Sequence, residues 1–235
     1  MKQFSNLYIF CFSSAVVLVV AAALSFTALA LEDKQLENIE IERQQMILAA
    51  LGVETSRADV YAKYRQYIKQ GIVIRADGSI VEGESAKDID LVRENRKPVI
   101  ERLLPLYIAE KEGETFVLIP LRGSGLWGPM WGNIALESDM STILGVTFDH
   151  AGETPGLGSQ IATAQYQQQF QGKQIFDNAG RFISIGVEKP GTYTVPNIHR
   201  VDAISGGTIT SNKLEAMIRN SLEPYLNYFS HNKPN

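Results

Sequence analysis

The sequence is poor in the residues that most often build redox or metal centres. It has a single cysteine, Cys11, and three histidines, at positions 150, 199 and 231. A lone cysteine excludes an intrachain disulfide and any zinc or iron–sulfur site that needs several thiolates. The histidines lack the spacing of metal-binding pairs. We therefore predict no metal site, and no residue stands out as catalytic.

The chain also lacks a cationic surface. Its 22 lysines and arginines are outnumbered by 26 acidic residues, which gives a net charge of -4 and an isoelectric point near 5.5. Binding to the phosphate backbone of nucleic acids requires the opposite balance. A nucleic-acid partner is therefore not expected. The length of 235 residues and the hydrophobic content of 45% suit one good core.

Charge is missing altogether from the N-terminal region, where no charged residue occurs between Lys2 and Glu32. The apolar run at residues 7–31 exceeds the roughly 20 residues that a helix needs to cross a bilayer. A secretory signal is the alternative, because Ala28-Leu29-Ala30 resembles a cleavage site. The apolar core of such signals is usually about 7–15 residues, and this run is longer. We favour an uncleaved transmembrane anchor at residues 1–31.

The charges that flank this run predict its orientation. Lys2 precedes the run, whereas Glu32 and Asp33 follow it. Positive charge favours the cytoplasmic side of a membrane. The bulk of the chain is therefore expected outside the cytoplasm, whether the segment is an anchor or a signal.

Residues 32–98 are expected to form a helical neck and a hairpin. Apolar residues at helical spacing predict one helix that ends at Gly52 and a second that stops at Gly71. Asp77-Gly78 lies between two β-branched runs, as in a tight hairpin turn. A predicted boundary at 98/99 separates this region from the domain that follows.

Residues 99–235 have the pattern of an α+β domain. Strands are expected at residues 106–109, 115–120, 133–136, 142–148 and 182–187, and a Gln-rich helix at 165–171. A last amphipathic helix is expected to begin at Asn212, with Glu215 completing a capping box. The fold class predicted is α+β, with a twisted, mainly antiparallel sheet and flanking helices.

A glycine-rich segment, residues 122–139, offers aromatic faces. Its Gly123-x-Gly125-x-x-Gly128 spacing matches a dinucleotide fingerprint, but Trp127 and Pro129 stand where a helix should start, so this interpretation is rejected. Trp127 and Trp131 could contact a flat partner, or could plug a core beneath the loop. A second glycine cluster, residues 149–158, contains Glu153-Thr154-Pro155-Gly156, which is typical of a rigid turn. His150 is interpreted as an ordinary structural or surface histidine.

Four hydroxyls surround a Gly-Gly turn in Ser205-Gly-Gly-Thr-Ile-Thr-Ser211. This stretch precedes the predicted helix start, where free N–H groups and the helix dipole favour a phosphate. Such hydroxyls more often cap helices and form turns than carry modifications. The motif alone therefore leaves both interpretations open.

Three motifs together resemble one family. DAISGGTITS at residues 202–211, GLWGPMWG at 125–132 and FDHAGETPGLG at 148–158 closely resemble the C subunit of the bacterial Na+-translocating NADH:quinone reductase. The family is related to the electron-transport G subunit of the Rnf complex. The resemblance implies FMN attached by a phosphoester to the hydroxyl of Thr208, placed there from FAD by a flavin transferase. Gly207 departs from the family, which usually has alanine at this position.

The resemblance also implies the surroundings of the flavin. The isoalloxazine ring is expected beside Trp127 and the loop at residues 153–158, and Thr208 with its neighbours would hold the phosphate. The expected cofactor-binding residues are Trp127, Glu153, Thr154, Gly156, Leu157, Gly158, Ser205, Gly206, Gly207, Thr208 and Thr210. Thr210 and Ser211 would serve as hydrogen-bonding or capping residues.

The role implied is that of an electron carrier. The chain would be a single-pass protein of the bacterial inner membrane with its bulk in the periplasm, and it would relay electrons between other membrane subunits of the reductase. By itself, the chain is not expected to hold a complete active site. The alternatives are the Rnf-type protein, a secreted noncatalytic binding domain, and a phosphate-ester hydrolase that would use a hydroxyl at the helix start.

Overall fold

A long helix, α1 (Asn6–Ala50), begins the chain in the computed structural model, which describes residues 5–232. An 18-residue window of this helix has a mean hydropathy of 2.5, and none of it is buried. Because a helix satisfies its own backbone hydrogen bonds, an apolar helix of this length is able to cross a bilayer. The helix fits a single-pass membrane protein. Lys2, on which the predicted orientation depends, lies outside the described residues.

The chain divides into two compact units, Met1–Arg43 and Gln44–Asn235. The last turns of α1 belong to the second unit, where Ile47, Leu48 and Ala50 are buried. Gly52 follows with a φ of 68°. This left-handed conformation commonly ends helices and favours glycine. The predicted stop at Gly52 is therefore confirmed.

The second unit alternates short helices with strands. Its helices are α2 (Val60–Tyr67), α3 (Leu91–Glu94), α4 (Ala164–Gln167), α5 (Thr208–Leu222) and α6 (Leu226–Asn232). Its strands are β1 (Ile68–Ile74), β2 (Leu104–Lys111), β3 (Glu114–Ser124), β4 (Pro129–Leu136), β5 (Ile143–His150), β6 (Gly186–Glu188) and β7 (Arg200–Asp202). Turns of 3-10 helix lie at Ala86–Asp88, Val99–Glu101, Gly158–Ala162, Gln168–Phe170, Asn197–His199 and Glu223–Tyr225.

The main sheet is a five-stranded antiparallel meander in the order β1-β2-β3-β4-β5. A second sheet pairs β6 with β7 in parallel. Helix α5 packs on β3, and Leu214, Met217, Ile218 and Leu222 are buried along one of its faces. These four residues recur at the helical spacing that the sequence predicts for a core-facing stripe. The predicted α+β class, with a mainly antiparallel sheet and flanking helices, is confirmed.

The pairing of β1 with β2 affects two predicted boundaries, the end of the second helix and the domain boundary at 98/99. The second helix was predicted to run to Gly71, but it ends at Tyr67 and Ile68 begins β1. Ile68, Gln70 and Gly71 pair with residues 107–109 of β2, and this pairing outweighs the helical period in the sequence. Since β1 pairs with β2, the sheet also runs across residue 98, where the sequence predicted a domain boundary.

The predicted hairpin turn at Asp77-Gly78 is present. Gly78 has a φ of 87°, and the Arg75 N–H donates to the Ser79 carbonyl at 2.9 Å. The returning arm, however, is only an isolated bridge from Ile80 to Ile74. The predicted strand at residues 182–187 is likewise shorter, because β6 begins at Gly186.

The last helix differs more from its prediction. It begins at Thr208 rather than Asn212, and the capping box was wrong. The Glu215 carboxylate instead accepts a hydrogen bond from the Val187 N–H at 2.8 Å, which ties α5 to β6. The cap is Gly207, which has no side chain to bond the helix. The hydroxyls of Thr208, Thr210 and Ser211 therefore lie in the first helical turn.

Gly132 is a sheet glycine at which an added side chain has no room. A Cβ there would lie 1.9 Å from the Thr147 carbonyl oxygen on β5. We expect Gly132→Ala to lower the free energy of unfolding by about 2–3 kcal/mol, because the paired strands must move apart. Urea unfolding followed by circular dichroism measures this change. Gly180→Asn is the control, since Gly180 lies in an open turn with a φ of 74° that asparagine tolerates. Equal stability of both variants would contradict the prediction.

Candidate functional site

Thr208 is the first residue of helix α5, and it is exposed. The N–H groups of the first helical turn have no acceptor within the helix, and the helix dipole makes this end positive. An anionic group joined to the Thr208 hydroxyl would therefore find donors and positive potential beside it.

The turn before the helix is fixed by backbone and hydroxyl hydrogen bonds. Gly206 has a φ of 73°, and the Gly207 N–H donates to the Ile204 carbonyl at 3.0 Å. The buried Ser211 hydroxyl accepts from the Ile204 N–H at 3.0 Å. Ser211 thus bonds the incoming chain rather than capping the helix from outside. Together these bonds hold the Thr208 backbone in one place.

The loop after β5 forms the second wall of the site. The Thr154 carbonyl accepts from the N–H groups of Leu157, at 3.1 Å, and Ser159, at 3.2 Å. Gly156 has a φ of 75°, and its N–H donates to the Ser159 hydroxyl at 3.1 Å. The rigid turn that the sequence predicted at residues 153–156 is therefore present.

A cavity of about 260 Å³ lies between this loop and the start of α5. It is lined by Leu126, Glu153, Thr154, Leu157, Gly158, Gly206, Gly207, Thr208, Ile209 and Thr210. Most of the residues expected from the sequence are thus brought together, although Trp127, Gly156 and Ser205 are not in the lining. Leu126 and Ile209 were missed. Both are exposed apolar neighbours of predicted residues, and this position beside them was the available signal.

Glu153 joins the segments that surround the cavity. Its side chain is buried, and Oε1 accepts from the backbone N–H groups of Leu126, at 2.7 Å, and Trp127, at 3.0 Å. Oε2 accepts from the buried Thr210 hydroxyl at 2.6 Å. One carboxylate therefore joins the β3–β4 loop, the loop after β5 and helix α5. Glu153 was expected among the cofactor-binding residues, and it lines the cavity while both of its oxygens accept hydrogen bonds from the protein.

The same bonds determine the ionisation of Glu153. Burial raises the pKa of this carboxyl, but the hydrogen bonds from Thr210, Trp127 and Leu126 favour the charged form more strongly. The pKa of Glu153 consequently lies below its usual value. His150 also favours the charged form, and its Nδ1 accepts from the Glu153 N–H at 3.2 Å. His150 is therefore a structural residue in this site, as the sequence indicated.

Two glycines leave room for this carboxylate. A Cβ on Gly125 would lie 2.2 Å from Glu153 Oε1, and one on Gly158 would lie 2.5 Å from Oε2 and 2.6 Å from Thr210 Oγ1. No side chain fits at either position without displacing Glu153. Gly125 and Gly158 are thus explained by the close approach of the Glu153 carboxylate rather than by turn conformation.

The two tryptophans of the glycine-rich segment have different surroundings. Trp127 is 67% exposed at the tip of the β3–β4 loop, so it does not plug a core. Trp131 lies on β4 and is half-buried, with the Arg122 guanidinium 5.3 Å from its ring centre. Arg122 is therefore held by a cation–π contact and is not merely a solvated charge.

The structure also gives a reason for Gly207. A methyl group here would lie 2.9 Å from Ile204 Cγ2, closer than carbon atoms normally approach. The backbone of Gly207 has a φ of -110°, which other residues adopt readily. Its glycine is therefore explained by the space that Ile204 fills, and an alanine would require that side chain to shift.

Taken together, an exposed hydroxyl at a helix start, a rigid loop opposite it and exposed apolar side chains at the rim define a binding domain for a flat, phosphorylated cofactor. A model of the FMN-binding domain family matches residues 125–223, which include every residue of the cavity lining.

The comparisons with known proteins identify the family within this class. The C subunit of the Na(+)-translocating NADH-quinone reductase of Vibrio vulnificus (strain YJ016) is 33% identical over 215 residues, covering 84% of this chain and 83% of that protein. The corresponding Haemophilus ducreyi protein is 30% identical over 233 residues, covering 90% and 88%. The chain belongs to the family formed by the C subunits of this reductase.

Solved structures agree with this assignment. The crystal structure of the C subunit from Parabacteroides distasonis ATCC 8503 superposes with a TM-score of 0.78 at 38% identity, covering 85% of this chain and 97% of that one. Shewanella oneidensis NqrC gives a TM-score of 0.69 at 27% identity, covering 82% and 96%.

Removal of the Glu153 carboxylate should destabilise the protein. Glu153→Ala leaves the N–H groups of Leu126 and Trp127 and the Thr210 hydroxyl without their acceptor, and we expect a loss of about 2–4 kcal/mol. Glu153→Gln should lose much less, because its oxygen can accept the two N–H bonds and its amide can donate to Thr210. Urea unfolding of the flavin-free protein measures both variants. A loss in Glu153→Ala no larger than that in Glu153→Gln would rule out this role for the carboxylate.

The lowered pKa of Glu153 also predicts a pH dependence. A carboxyl whose pKa is lower in the folded state contributes stability that is fully present above its unfolded pKa, about 4.3. The contribution is lost as the pH falls through the lower pKa of the folded state. As the pH is lowered from about 5, the free energy of unfolding should therefore fall more in the wild type than in Glu153→Gln, down to the lowest pH at which both proteins remain folded. Parallel stability curves for the two proteins would contradict the assignment.

Proposed function

We propose that this chain is the FMN-carrying subunit of a Na+-translocating NADH-quinone reductase, with FMN joined by a phosphoester to the Thr208 hydroxyl. The observation that carries the proposal is the position of Thr208, which lines the cavity and is exposed at the start of helix α5. Its hydroxyl is open to an enzyme that adds the cofactor. Membership of this reductase family and the FMN-binding domain match support the choice of cofactor.

The residues present fit FMN. The phosphate would be held by the free N–H groups of the first turn of α5. Apolar side chains suited to the isoalloxazine ring line the cavity, and they are exposed by 45% at Leu126, 41% at Leu157 and 52% at Ile209. Bound FMN supplies the ability to accept and release electrons. This chain holds the cofactor, orients it and leaves it accessible to redox partners.

Attachment of the cofactor would require a flavin transferase with FAD as donor. The Thr208 hydroxyl would give up its proton to a base of the transferase, and its oxygen would form a bond to the phosphorus of the FMN half. The pyrophosphate bond of FAD would break, and AMP, which contains the other phosphate, would leave. Glu153 would not supply the base for this step, because both of its oxygens accept hydrogen bonds from other groups. The helix N–H groups would stabilise the phosphate as it is transferred.

The proposed setting is the bacterial inner membrane. Helix α1 would anchor the chain by a single span, residues 32–98 would lead from that span to strand β1 of the main sheet, and residues 99–235 would form the rest of the FMN-binding domain on the periplasmic side. The flavin would relay electrons between other membrane subunits of the reductase. Sodium translocation would belong to the assembled complex.

Thr208→Ala should abolish covalent flavin, because the other hydroxyls of the first turn, at Thr210 and Ser211, are buried and already hydrogen-bonded within the protein. Fluorescence of the denatured protein in an SDS gel, after coexpression with the flavin transferase, measures this directly. Thr208→Ser is the matched control, because it keeps the hydroxyl at the same position, and it should keep a fluorescent band. A fluorescent Thr208→Ala band would place the tether elsewhere, and a dark wild-type band with active transferase would refute the covalent link.

Substitution in the cavity should change the flavin potential without releasing the cofactor. The phosphoester is remote from the ring, so noncovalent contacts determine the relative stability of its oxidation states. We expect Thr154→Val to shift the midpoint potential by roughly 30 mV or more, which corresponds to a tenfold change in relative affinity for a two-electron couple. Redox titration monitored by absorbance measures it. Thr115→Val, an identical change on an exposed strand position, is the control. Unchanged potential in both variants would contradict the proposed ring position.

A further inference from the structure

A second, larger groove lies beside helix α5. Its volume is about 770 Å³, and it runs between α5, the end of β3 and the segment around Val99. Lys213 lines it and is one helical turn after Ile209, which lines the flavin cavity. Residues four apart share a face of a helix. The groove therefore continues along the same side of α5 as the flavin cavity.

The charges in this groove are mainly positive. Arg102, Arg122 and Lys213 line it, and Glu223 is the acidic residue among the lining side chains. None of the three cations forms an ion pair with any residue between 5 and 232. This excess stands out in a chain whose net charge is -4. The groove therefore has an excess of positive charge, which Glu223 offsets only in part.

Arg102 is held in position by its own segment. Its Nε donates to the Lys97 carbonyl at 2.9 Å, and its Nη2 donates to the Asn95 carbonyl at 3.2 Å. The segment is in turn fixed by the buried Glu94, which pairs with Lys97 at 2.8 Å and accepts from the Leu103 N–H at 2.9 Å. The remaining N–H donors of this half-buried guanidinium stay open.

Arg122 is held by a different contact. Its guanidinium lies over the Trp131 ring and makes no hydrogen bond to a residue of the described chain. Both arginines are thus ordered before any ligand arrives. Ordered guanidinium groups bind carboxylates with less loss of conformational entropy than mobile side chains.

We propose that this groove docks an acidic segment of another subunit of the reductase, whose carboxylates bind Arg102, Arg122 and Lys213. The inference rests on the proposed function, since an electron carrier needs its partner beside the flavin. Val99 in the groove is 46% exposed and the adjacent Ile100 is 78% exposed. Apolar surface next to unpaired charge suits a protein segment better than a small anion. Docking here would bring the partner to the flavin-bearing side of α5.

The test measures binding of the full-length flavinylated chain, in detergent, to the reductase complex assembled without this subunit. Arg102→Gln/Arg122→Gln and Lys213→Glu should each weaken the affinity about tenfold at low salt, and added salt should weaken the wild type more than either variant. Lys189→Glu is the matched control, because Lys189 is an exposed lysine outside the groove, and it should bind as the wild type does. Lys213 is exposed, so its variant keeps the fold even if the double variant does not.

Several outcomes would overturn the proposal. One is wild-type affinity in a folded Lys213→Glu protein, and another is an equal loss in Lys189→Glu. A third is saturable binding of inorganic phosphate or AMP that the groove substitutions abolish, while the association of these variants with the complex is unchanged. That result would make the groove a small-anion site. Flavin absorbance of each preparation is read separately. Absence of flavin from wild type would refute the proposed function, whereas an unchanged affinity in the variants refutes only the docking surface.

Discussion

The buried Glu153 carboxylate is the interaction on which the site depends. It joins three segments that are distant in the sequence, because it accepts from the backbone of Leu126 and Trp127 and from the Thr210 hydroxyl. A buried charge is tolerated only when it is fully hydrogen-bonded, and this requirement fixes all three segments at once. The glycines at 125 and 158 follow from the same constraint, since a side chain at either would occupy the space of the carboxylate. The position of the cavity beside Thr208 is a consequence of this arrangement.

Much of the fold could be predicted from local patterns. The apolar N-terminal run, the glycine at 52 and the strands of the meander each have a signal within a few residues, because strands joined by tight turns pair with their sequence neighbours. The buried stripe of α5 could be predicted from the spacing of its apolar residues, which lie within one helix. In the site, the rigid turn at residues 153–156 was predicted from proline and glycine chemistry that acts locally.

Other features depend on contacts between distant residues, and these could not be predicted. Helix α5 begins at Thr208 after Gly207, which has no side chain to cap the helix, so the sequence carries no capping signal at this position. Glu215, which was predicted to complete a capping box, instead accepts a hydrogen bond from β6. Ile68 begins a strand because β2 offers it a partner, although its neighbours follow a helical period. Glu153 was predicted to be a cofactor-binding residue because it lies in the glycine-rich motif at residues 148–158. Only the fold shows that its oxygens already accept hydrogen bonds from the protein.

The segments around the cavity are joined to one another by hydrogen bonds of Glu153, Ser211 and the Thr154 carbonyl, and this has a consequence for biogenesis. If Thr208 carries the cofactor as proposed, maturation would act on a folded surface, because the Thr208 hydroxyl is exposed on the first turn of α5. Folding would thus serve as a checkpoint for loading, since a chain that fails to assemble these three segments does not present its hydroxyl in the form to be modified. Quality control and cofactor insertion would be coupled through a single helix start.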